Sequence, residues 1–246
     1  LAEMPSTQVA VLNYDNARLM QTATQVWAGR TITFGLTGGE VSGQLTADGA
    51  AIQLIPDQPV IPLPLLGAHN AVNFLGAVAV AQAVGLAIAD IDFAHLTVDL
   101  PSGRSRRLGL ANDIVFLDET YNAGVESMQA ALHLLANTPG TRRIAVLGTM
   151  KELGDYTVPL HERVGQTVAK LGIDRLFTLA DPEAEAALIQ GAGTVPATAY
   201  QDSQALVQAI LAELQPGDRV LFKASRSVQL DQVVDQAMSK LESASV

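Results

Sequence analysis

The sequence has no cysteine, few aromatic residues and few charged residues. Its 246 residues include no Cys, 4% aromatic residues and 16% charged residues. The absence of cysteine excludes disulfide bonds and thiol chemistry, and it fits a reducing compartment. A formal net charge of -10 argues against a nucleic-acid binder, so any anion site must be local. With 48% hydrophobic residues, the chain is predicted to fold as a globular protein.

Several short motifs that carry known chemistry are also missing. The sequence contains neither the phosphate loop G-x-x-x-x-G-K-[ST], nor the dinucleotide fingerprint G-x-G-x-x-G, nor the nucleophile elbow G-x-S-x-G. The four histidines are scattered, and none forms an H-x-x-x-H pair. The sequence therefore predicts no metal site.

One long apolar run raises the question of a membrane span. Residues 71–89 are dominated by Ala and Gly, are interrupted by Asn73 and Gln82, and lack flanking Lys or Arg anchors. We therefore predict that this run is a buried helix of a soluble protein, with no stable membrane insertion.

Residues 115–155 have the pattern of a strand, a helix and a second strand. Apolar runs at 114–117 and 144–147 have strand length, and residues 127–136 carry apolar side chains at helical spacing. Polar residues follow each strand directly. Ligands of open parallel sheets bind beyond the carboxyl ends of the strands, so these two loops are predicted to carry the functional site.

The flanking segments suggest two α/β domains. Strands and helices alternate to the end of the chain, which predicts a doubly wound, mostly parallel sheet whose last strand ends in a polar cluster at 223–227. Pro101, Ser102 and Gly103 predict a domain junction, with domains at 1–101 and 102–246. The first domain contains short β segments that we interpret as a small antiparallel patch, at 41–45, 51–55 and 60–65.

Two polar clusters each allow two interpretations. His69, Asn70 and Asn73 lie at the start of the Ala-rich helix, where side-chain amides can read the edge of a base. Alternatively, Asn70 caps the helix and the other two close a loop. A second cluster, at the predicted junction, is either a solvated surface or a site that closes on a phosphate; it consists of Arg104, Arg106 and Arg107.

Taken together, several segments resemble the Mur ligases of peptidoglycan synthesis. They occur in the order of that family and span nearly the whole chain, at residues 9–15, 67–73, 103–104, 118–123, 146–154 and 223–227. The H-N-x-x-N segment is shared by all muramyl and folate ligases. The Y-N-A, L-G-x-M-x-E-L-G and S-R-S segments resemble the branch that adds D-alanyl-D-alanine.

The resemblance implies the second half of a central ATPase domain followed by a Rossmann-like ligase domain. The family uses ATP and Mg²⁺ to form an amide between UDP-N-acetylmuramoyl-tripeptide and D-alanyl-D-alanine through an acyl phosphate. The family's phosphate loop, magnesium-binding acid and uridine-binding domain lie upstream. The resemblance thus implies a portion of a cytoplasmic, monomeric carbon–nitrogen ligase, which is expected to be inactive alone, with the metal ligands mainly outside this chain.

The resemblance also implies roles for individual residues. The expected nucleotide-binding residues are His69, Asn70 and Asn73 at the adenine, Arg104 at the phosphates, and Asp118 and Glu119 by the ribose. The expected catalytic residues are Arg104 and Lys223. The expected substrate-binding residues are Tyr121, Asn122, Glu152, Ser225 and Arg226, although Glu152 equally fits a loop carboxylate without such a contact.

The chain departs from the family pattern at two places. Glu119 stands where the family commonly has a second Asp, and Gly124-Val125 stands where it has Asn-Pro. Lys151 and His161 match the pattern without an implied role. Two alternatives remain open: a sister muramyl or folylpolyglutamate-type ligase, and a non-catalytic nucleotide-binding module, because fold does not fix function.

Overall fold

The computed structural model describes residues 1–5, 8–47, 49–55, 60–65, 67–96, 98 and 103–244. The chain divides into two compact units, residues 1–99 and 100–246. The domain boundary that we predict, between residues 101 and 102, lies outside the described residues.

The first unit is built on a mixed five-stranded sheet. Its strands lie in chain order: β1 (Val9–Asn13), β2 (Arg30–Gly35), β3 (Val41–Leu45), β4 (Ala51–Ile55) and β5 (Val60–Pro62). The first three strands are mutually parallel, whereas β3, β4 and β5 are antiparallel. The predicted antiparallel pairing is confirmed, but it continues a parallel sheet. The last strand ends at Pro62 instead of residue 65, because Pro62 and Pro64 lack an N–H to donate.

Two helices cover this sheet, α1 (Ala17–Val26) and α2 (Ala68–Ala83). The apolar side chains of α2, including Leu75 and Val78, pack against those of the sheet, including Ile52 and Leu54. The predicted helix through residue 89 is wrong, since α2 ends at Ala83 and two 3₁₀ turns follow after Gly85, whose φ is +88°. Among the described residues, no helix is long and apolar enough to cross a membrane.

The second unit contains a six-stranded sheet. Its strands are β6 (Arg106–Gly109), β7 (Val115–Asp118), β8 (Arg142–Gly148), β9 (Arg175–Leu179), β10 (Ala197–Tyr200) and β11 (Asp218–Lys223), in the spatial order β10-β9-β8-β11-β7-β6. All neighbours are parallel except β6, which is antiparallel to β7. Arg106 and Arg107, which we predict at a domain junction, therefore lie in an edge strand of the second unit.

Helices cover both faces of this sheet, as the doubly wound prediction requires. One face packs against α3 (Val125–Asn137), α4 (Thr157–Lys170) and α5 (Pro182–Ala192), and the other against α6 (Ser203–Glu213) and α7 (Leu230–Ala244). From β8 the chain moves outward to β9 and β10, and it then returns to β11 between β8 and β7. The strand order thus reverses at β8, β11 and β7, which is where such sheets open a ligand crevice.

Candidate functional site

A pocket of about 620 Å³ opens at the carboxyl edge of the second unit's sheet. Three loops form it, following β7, β8 and β11, and the strand order predicts this position. Five of its lining residues are predicted site residues, namely Tyr121, Asn122, Glu152, Ser225 and Arg226; the others are Ala123, Lys151 and Ser227. The structure therefore brings together the whole set that the resemblance implies as substrate-binding.

Hydrogen bonds join the loops after β8 and β11. The Ser225 amide donates to the carbonyl oxygen of Thr149 at 3.0 Å, and the Lys151 amide donates to Ser225 Oγ at 2.9 Å. On the other side, the Asp181 amide donates to Thr149 Oγ1 at 2.8 Å. Lys151 Nζ lies 2.6 Å from Asp181 Oδ2, and this hydrogen bond lowers the pKa of the Asp181 carboxyl. The two loops are thus fixed to each other and to the start of α5.

A buried histidine lies behind the same loop. His161 of α4 is 0% exposed, and its Nε2 accepts from the Met150 amide at 2.8 Å. Its Nδ1 lies 2.6 Å from the Thr157 carbonyl oxygen. Burial lowers the pKa of His161, which keeps the imidazole neutral. The resemblance implies no role for His161, and its main-chain partner is invisible in the sequence.

Lys223, predicted as catalytic, lies at the end of β11 and is 4% exposed. Its Nζ donates to the main-chain oxygens of Asn122, at 2.8 Å, and of Glu119, at 3.3 Å. Burial lowers the pKa of Lys223, and the nearby Glu119 carboxylate opposes that change. This arrangement holds the loop after β7 in place, and a catalytic role for Lys223 stays a prediction.

The carboxyl group of Glu119 is incompletely satisfied. Burial raises its pKa, although Lys223 and hydrogen bonds from Ser105 act in the opposite direction. Its Oε1 is buried and has no hydrogen-bond partner within the described part of the chain. An unpaired buried carboxylate oxygen is unfavourable for folding.

The neighbouring Asp118 is occupied by internal contacts. It is 1% exposed, and its Oδ1 accepts from Thr120 Oγ1 at 2.6 Å and from the Thr120 amide at 3.2 Å. Its Oδ2 lies 3.4 Å from Arg106 Nη1. These contacts shape the turn after β7, so a contact from Asp118 to a ribose stays a prediction.

Arg104 lies against the pocket lining. Its guanidinium carbon is 3.8 Å from the centre of the Tyr121 ring, and the Tyr121 amide donates to the Gly103 carbonyl oxygen at 2.8 Å. Gly103 has a φ of +78°, and a Cβ there would lie 2.7 Å from Thr120 Oγ1. Only glycine suits this approach, which brings Arg104 onto Tyr121.

The first unit carries the predicted adenine-binding residues. Gly67 occupies the N-cap position of α2, and Asn70 lies within the helix and is 8% exposed. The interpretation of Asn70 as the cap is therefore wrong. His69 and Asn73 lie one turn apart, the first half-buried and the second exposed. Their contact with a base stays a prediction.

Sequence reasoning missed a carboxylate that joins two loops of the first unit. Asp15, after β1, accepts from the amides of Leu36 and Thr37, at 2.8 and 3.0 Å, and from Thr37 Oγ1 at 2.6 Å. Burial acts to raise the pKa of Asp15, but these hydrogen bonds lower it overall. The side chain that caps α1 is that of the neighbouring Asn16, so Asp15 is left to join the two loops.

Comparisons with known families match both units. Residues 1–81 match the Mur ligase middle domain, and residues 103–226 match the family described as Mur ligase, glutamate ligase domain. The chain is 52% identical over 240 residues to a protein of Synechocystis named UDP-N-acetylmuramoyl-tripeptide--D-alanyl-D-alanine ligase, covering 98% of this chain and 52% of that protein. An Escherichia coli protein of the same name is 30% identical over 241 residues, covering 94% and 52%. The chain thus spans about half the length of these relatives.

Solved structures agree with these matches. MurF from Acinetobacter baumannii is similar, with a TM-score of 0.78 and 27% identity over 94% of this chain and 51% of that one. The MurF ligase from Thermotoga maritima, solved in complex with ADP, has a TM-score of 0.79 at 24% identity, over 97% and 55% respectively. At 24% identity, the similarity to the Thermotoga maritima structure is evidence for the fold alone.

Proposed function

The chain belongs to the Mur ligase family, and we propose that the protein containing it joins D-alanyl-D-alanine to UDP-N-acetylmuramoyl-tripeptide with consumption of ATP. The observation that carries this proposal is the 52% identity, over 98% of the chain, to a ligase named for that reaction. The pocket supports it, because its lining residues come from the segments that resemble the D-alanyl-D-alanine-adding branch.

The proposed reaction has two steps. The terminal carboxylate of the tripeptide attacks the γ-phosphorus of ATP, which forms an acyl phosphate and releases ADP. The neutral amine of D-alanyl-D-alanine then attacks the acyl carbon, and the tetrahedral intermediate loses inorganic phosphate and a proton to leave the amide. Both steps require reactants held in line, so most of the protein's contribution is positioning and charge stabilisation.

We assign the acceptor to the pocket of the second unit. A dipeptide acceptor carries a carboxylate and an amine, and the pocket offers cations at Lys151 and Arg226 and an anion at Glu152. Arg226 is 61% exposed and lies 3.3 Å from Asp231, so its guanidinium can turn to a ligand carboxylate. Tyr121, Asn122 and Ser225 would complete this substrate-binding set, with Lys223 holding the loop that carries Asn122.

We assign the nucleotide to the residues that the resemblance implies for it. Asn70 and Asn73, with His69, are proposed to contact the adenine, and Arg104 to contact the phosphates. Glu119, whose Oε1 lacks a described partner, is proposed to accept from a ribose hydroxyl, beside Asp118. The division into domains at 1–101 and 102–246 is part of this proposal.

The family reaction also uses Mg²⁺. The described residues contain no group of three or more His, Asp or Glu side chains that could hold a metal ion. These residues therefore do not fit a magnesium site, and we propose that its ligands lie outside this chain. Since the sequence also contains no phosphate loop, we propose that the chain alone is inactive. From the resemblance, we also propose that the complete protein is a cytoplasmic monomer.

The test is phosphate release by the full-length protein with ATP, the tripeptide and one acceptor at a time. Release that requires D-alanyl-D-alanine is expected. Release with a single amino acid would instead identify a sister ligase, and the absence of acceptor-dependent release would favour a binding module. Asn73→Ala and Arg104→Ala should each raise the KM for ATP, whereas Gln82→Ala, farther along α2, should not.

A further inference from the structure

His161 takes part in the site without contributing to the pocket wall. It lies in α4 and is fully buried, and its ring contacts the loop after β8 from behind. The two hydrogen bonds between the His161 ring and main-chain groups are compatible with only one tautomer of the neutral imidazole. The Met150 N–H donates to Nε2 at 2.8 Å, so Nε2 is unprotonated and Nδ1 carries the proton, which it donates to the Thr157 carbonyl oxygen at 2.6 Å.

The loop that His161 contacts is held at successive residues. Thr149 bonds the amides of Asp181 and Ser225, Met150 bonds His161, and Lys151 bonds Ser225. Glu152 follows at once with a φ of +65°, a left-handed conformation that a non-glycine residue keeps only where its surroundings fix it. Lys151 and Glu152 then line the pocket.

The hydrogen bond from the Met150 amide to His161 depends on the protonation state of the imidazole. An imidazolium ion has two N–H groups and no acceptor, so it would face the Met150 N–H with a second donor. The charged group that acts on His161 is Asp181, which favours the imidazolium and is itself paired with Lys151. Burial has the larger effect, so the neutral form prevails near neutral pH.

We propose that His161 is a positioning residue for the acceptor side of the ligase reaction. Its imidazole fixes the main chain of residues 149–152, so that Lys151 and Glu152 face the incoming amino compound. The identity of that compound rests on the proposed function, whereas the fixing of the loop does not.

The experiment compares three variants of the full-length protein. His161→Ala removes the acceptor for the Met150 amide, His161→Gln offers an amide oxygen in its place, and Thr167→Val is the matched control. Thr167 lies in the same helix and hydrogen-bonds Gln129 and Arg163, away from the loop. KM and kcat are measured for each substrate, and hydrogen exchange reports the protection of the Met150 and Lys151 amides.

His161→Ala is expected to raise the KM for D-alanyl-D-alanine roughly tenfold, the equivalent of about one hydrogen bond, with the KM for ATP unchanged. His161→Gln should recover most of this loss, and Thr167→Val should show none. Met150 protection should fall in His161→Ala and return in His161→Gln. Equal effects on all substrates, or an equal effect in Thr167→Val, would show a merely structural role and overturn the proposal.

The exchange measurement separates this inference from the proposed function. If the wild-type protein releases no phosphate with the dipeptide but Met150 protection still depends on His161, the acceptor assignment fails and the fixing of the loop stands. Unchanged protection in His161→Ala overturns the inference whatever the acceptor is. In the wild type, the protection factor of the Met150 amide should fall as pH drops below the pKa of His161, which burial holds below its ordinary 6.5, and His161→Gln should lose this dependence.

Discussion

The two edges of the second unit's sheet use charged residues in opposite ways. At the amino edge, Arg142 donates to both carboxylate oxygens of the fully buried Asp218, at 2.9 and 2.7 Å. Arg219, 5% exposed, donates to the Pro139 and Asp113 carbonyl oxygens and to the Asp113 carboxylate. Every buried charge named here has close partners.

The carboxyl edge of the same sheet leaves polar groups less completely paired. Glu119 has a buried oxygen without a described partner, Glu152 has a left-handed backbone, and Lys151 and Arg226, which line the pocket, form ion pairs with partly exposed carboxylates. One sheet thus uses its charged residues in two ways: at the amino edge a buried ion pair stabilises the fold, and at the carboxyl edge charged side chains line a pocket.

The largest effect on stability is expected at the amino edge. Asp218→Asn removes the buried carboxylate that pairs with Arg142 and should lower the free energy of unfolding by about 3 kcal/mol, because the guanidinium loses its counter-charge. Urea denaturation measures the loss, and Asp235→Asn on the exposed side of α7 is the control, expected within about 0.5 kcal/mol. A loss equal to that of the control would contradict the role of this edge in stability.

A smaller loss is expected where the carboxyl edge needs glycine. Gly103→Ala should destabilise the protein by about 2 kcal/mol, because φ is +78° and the added methyl group would meet Thr120 Oγ1 and the Tyr121 amide. It should also move Arg104 off the Tyr121 ring and raise the KM for ATP. The control is Gly109→Ala in β6, where a Cβ would have no atom within 4 Å. Equal melting temperatures for the two variants would refute this reading of Gly103.

Neutralising Glu119 at the carboxyl edge should change the free energy of unfolding in the opposite direction to neutralising Asp218. Glu119→Gln should raise the free energy of unfolding by about 1 kcal/mol at pH 7, because it replaces a desolvated carboxylate with a neutral amide. The folded pKa of Glu119 lies above its ordinary 4.5, so its ionised form is unfavourable at neutral pH. The gain should therefore shrink as pH falls through the folded pKa and vanish below 4.5.

Glu119→Gln should nevertheless raise the KM for ATP, since we propose that the carboxylate accepts a hydrogen bond from the ribose. Denaturation curves at several pH values test the predicted gain in stability, and the KM for ATP tests the predicted loss of nucleotide binding. A variant that is less stable at pH 7, or equally active, would remove the contrast with Asp218.

The sequence predicts this sheet well and its contacts poorly. The apolar runs that become β7 and β8 are buried on both faces, so they lack alternation but keep strand length, and the loops at their ends follow from topology. The edge strand β6 is not predicted, because its Arg106 and Arg107 belong to a charged cluster that the sequence allows either as a solvated surface or as a site that closes on a phosphate. Edge strands expose alternate residues, so such composition does not exclude them.

The contacts of Lys223 and His161 could not be predicted for a different reason. Lys223 contacts the main-chain carbonyl of Asn122, which every residue type offers, and His161 contacts the main-chain amide of Met150, which every residue type except proline offers. No side-chain pattern therefore marks these partners. The resemblance suggests which residues belong to the site, and only the folded chain shows that some of them hold loops while others face the pocket.

The smallest effect on stability should accompany a clear effect on binding. Lys151→Met breaks an ion pair with Asp181 whose side chains are 46% and 56% exposed, so the free energy of unfolding should change by less than about 0.5 kcal/mol. The pocket would lose a cation, and the KM for D-alanyl-D-alanine should rise severalfold. Lys170→Met at the exposed end of α4 removes the same charge away from the pocket and should change neither quantity. If both variants raise the KM equally, the effect comes from the net charge of the protein, and the assignment of the acceptor to the pocket at the carboxyl edge loses its support.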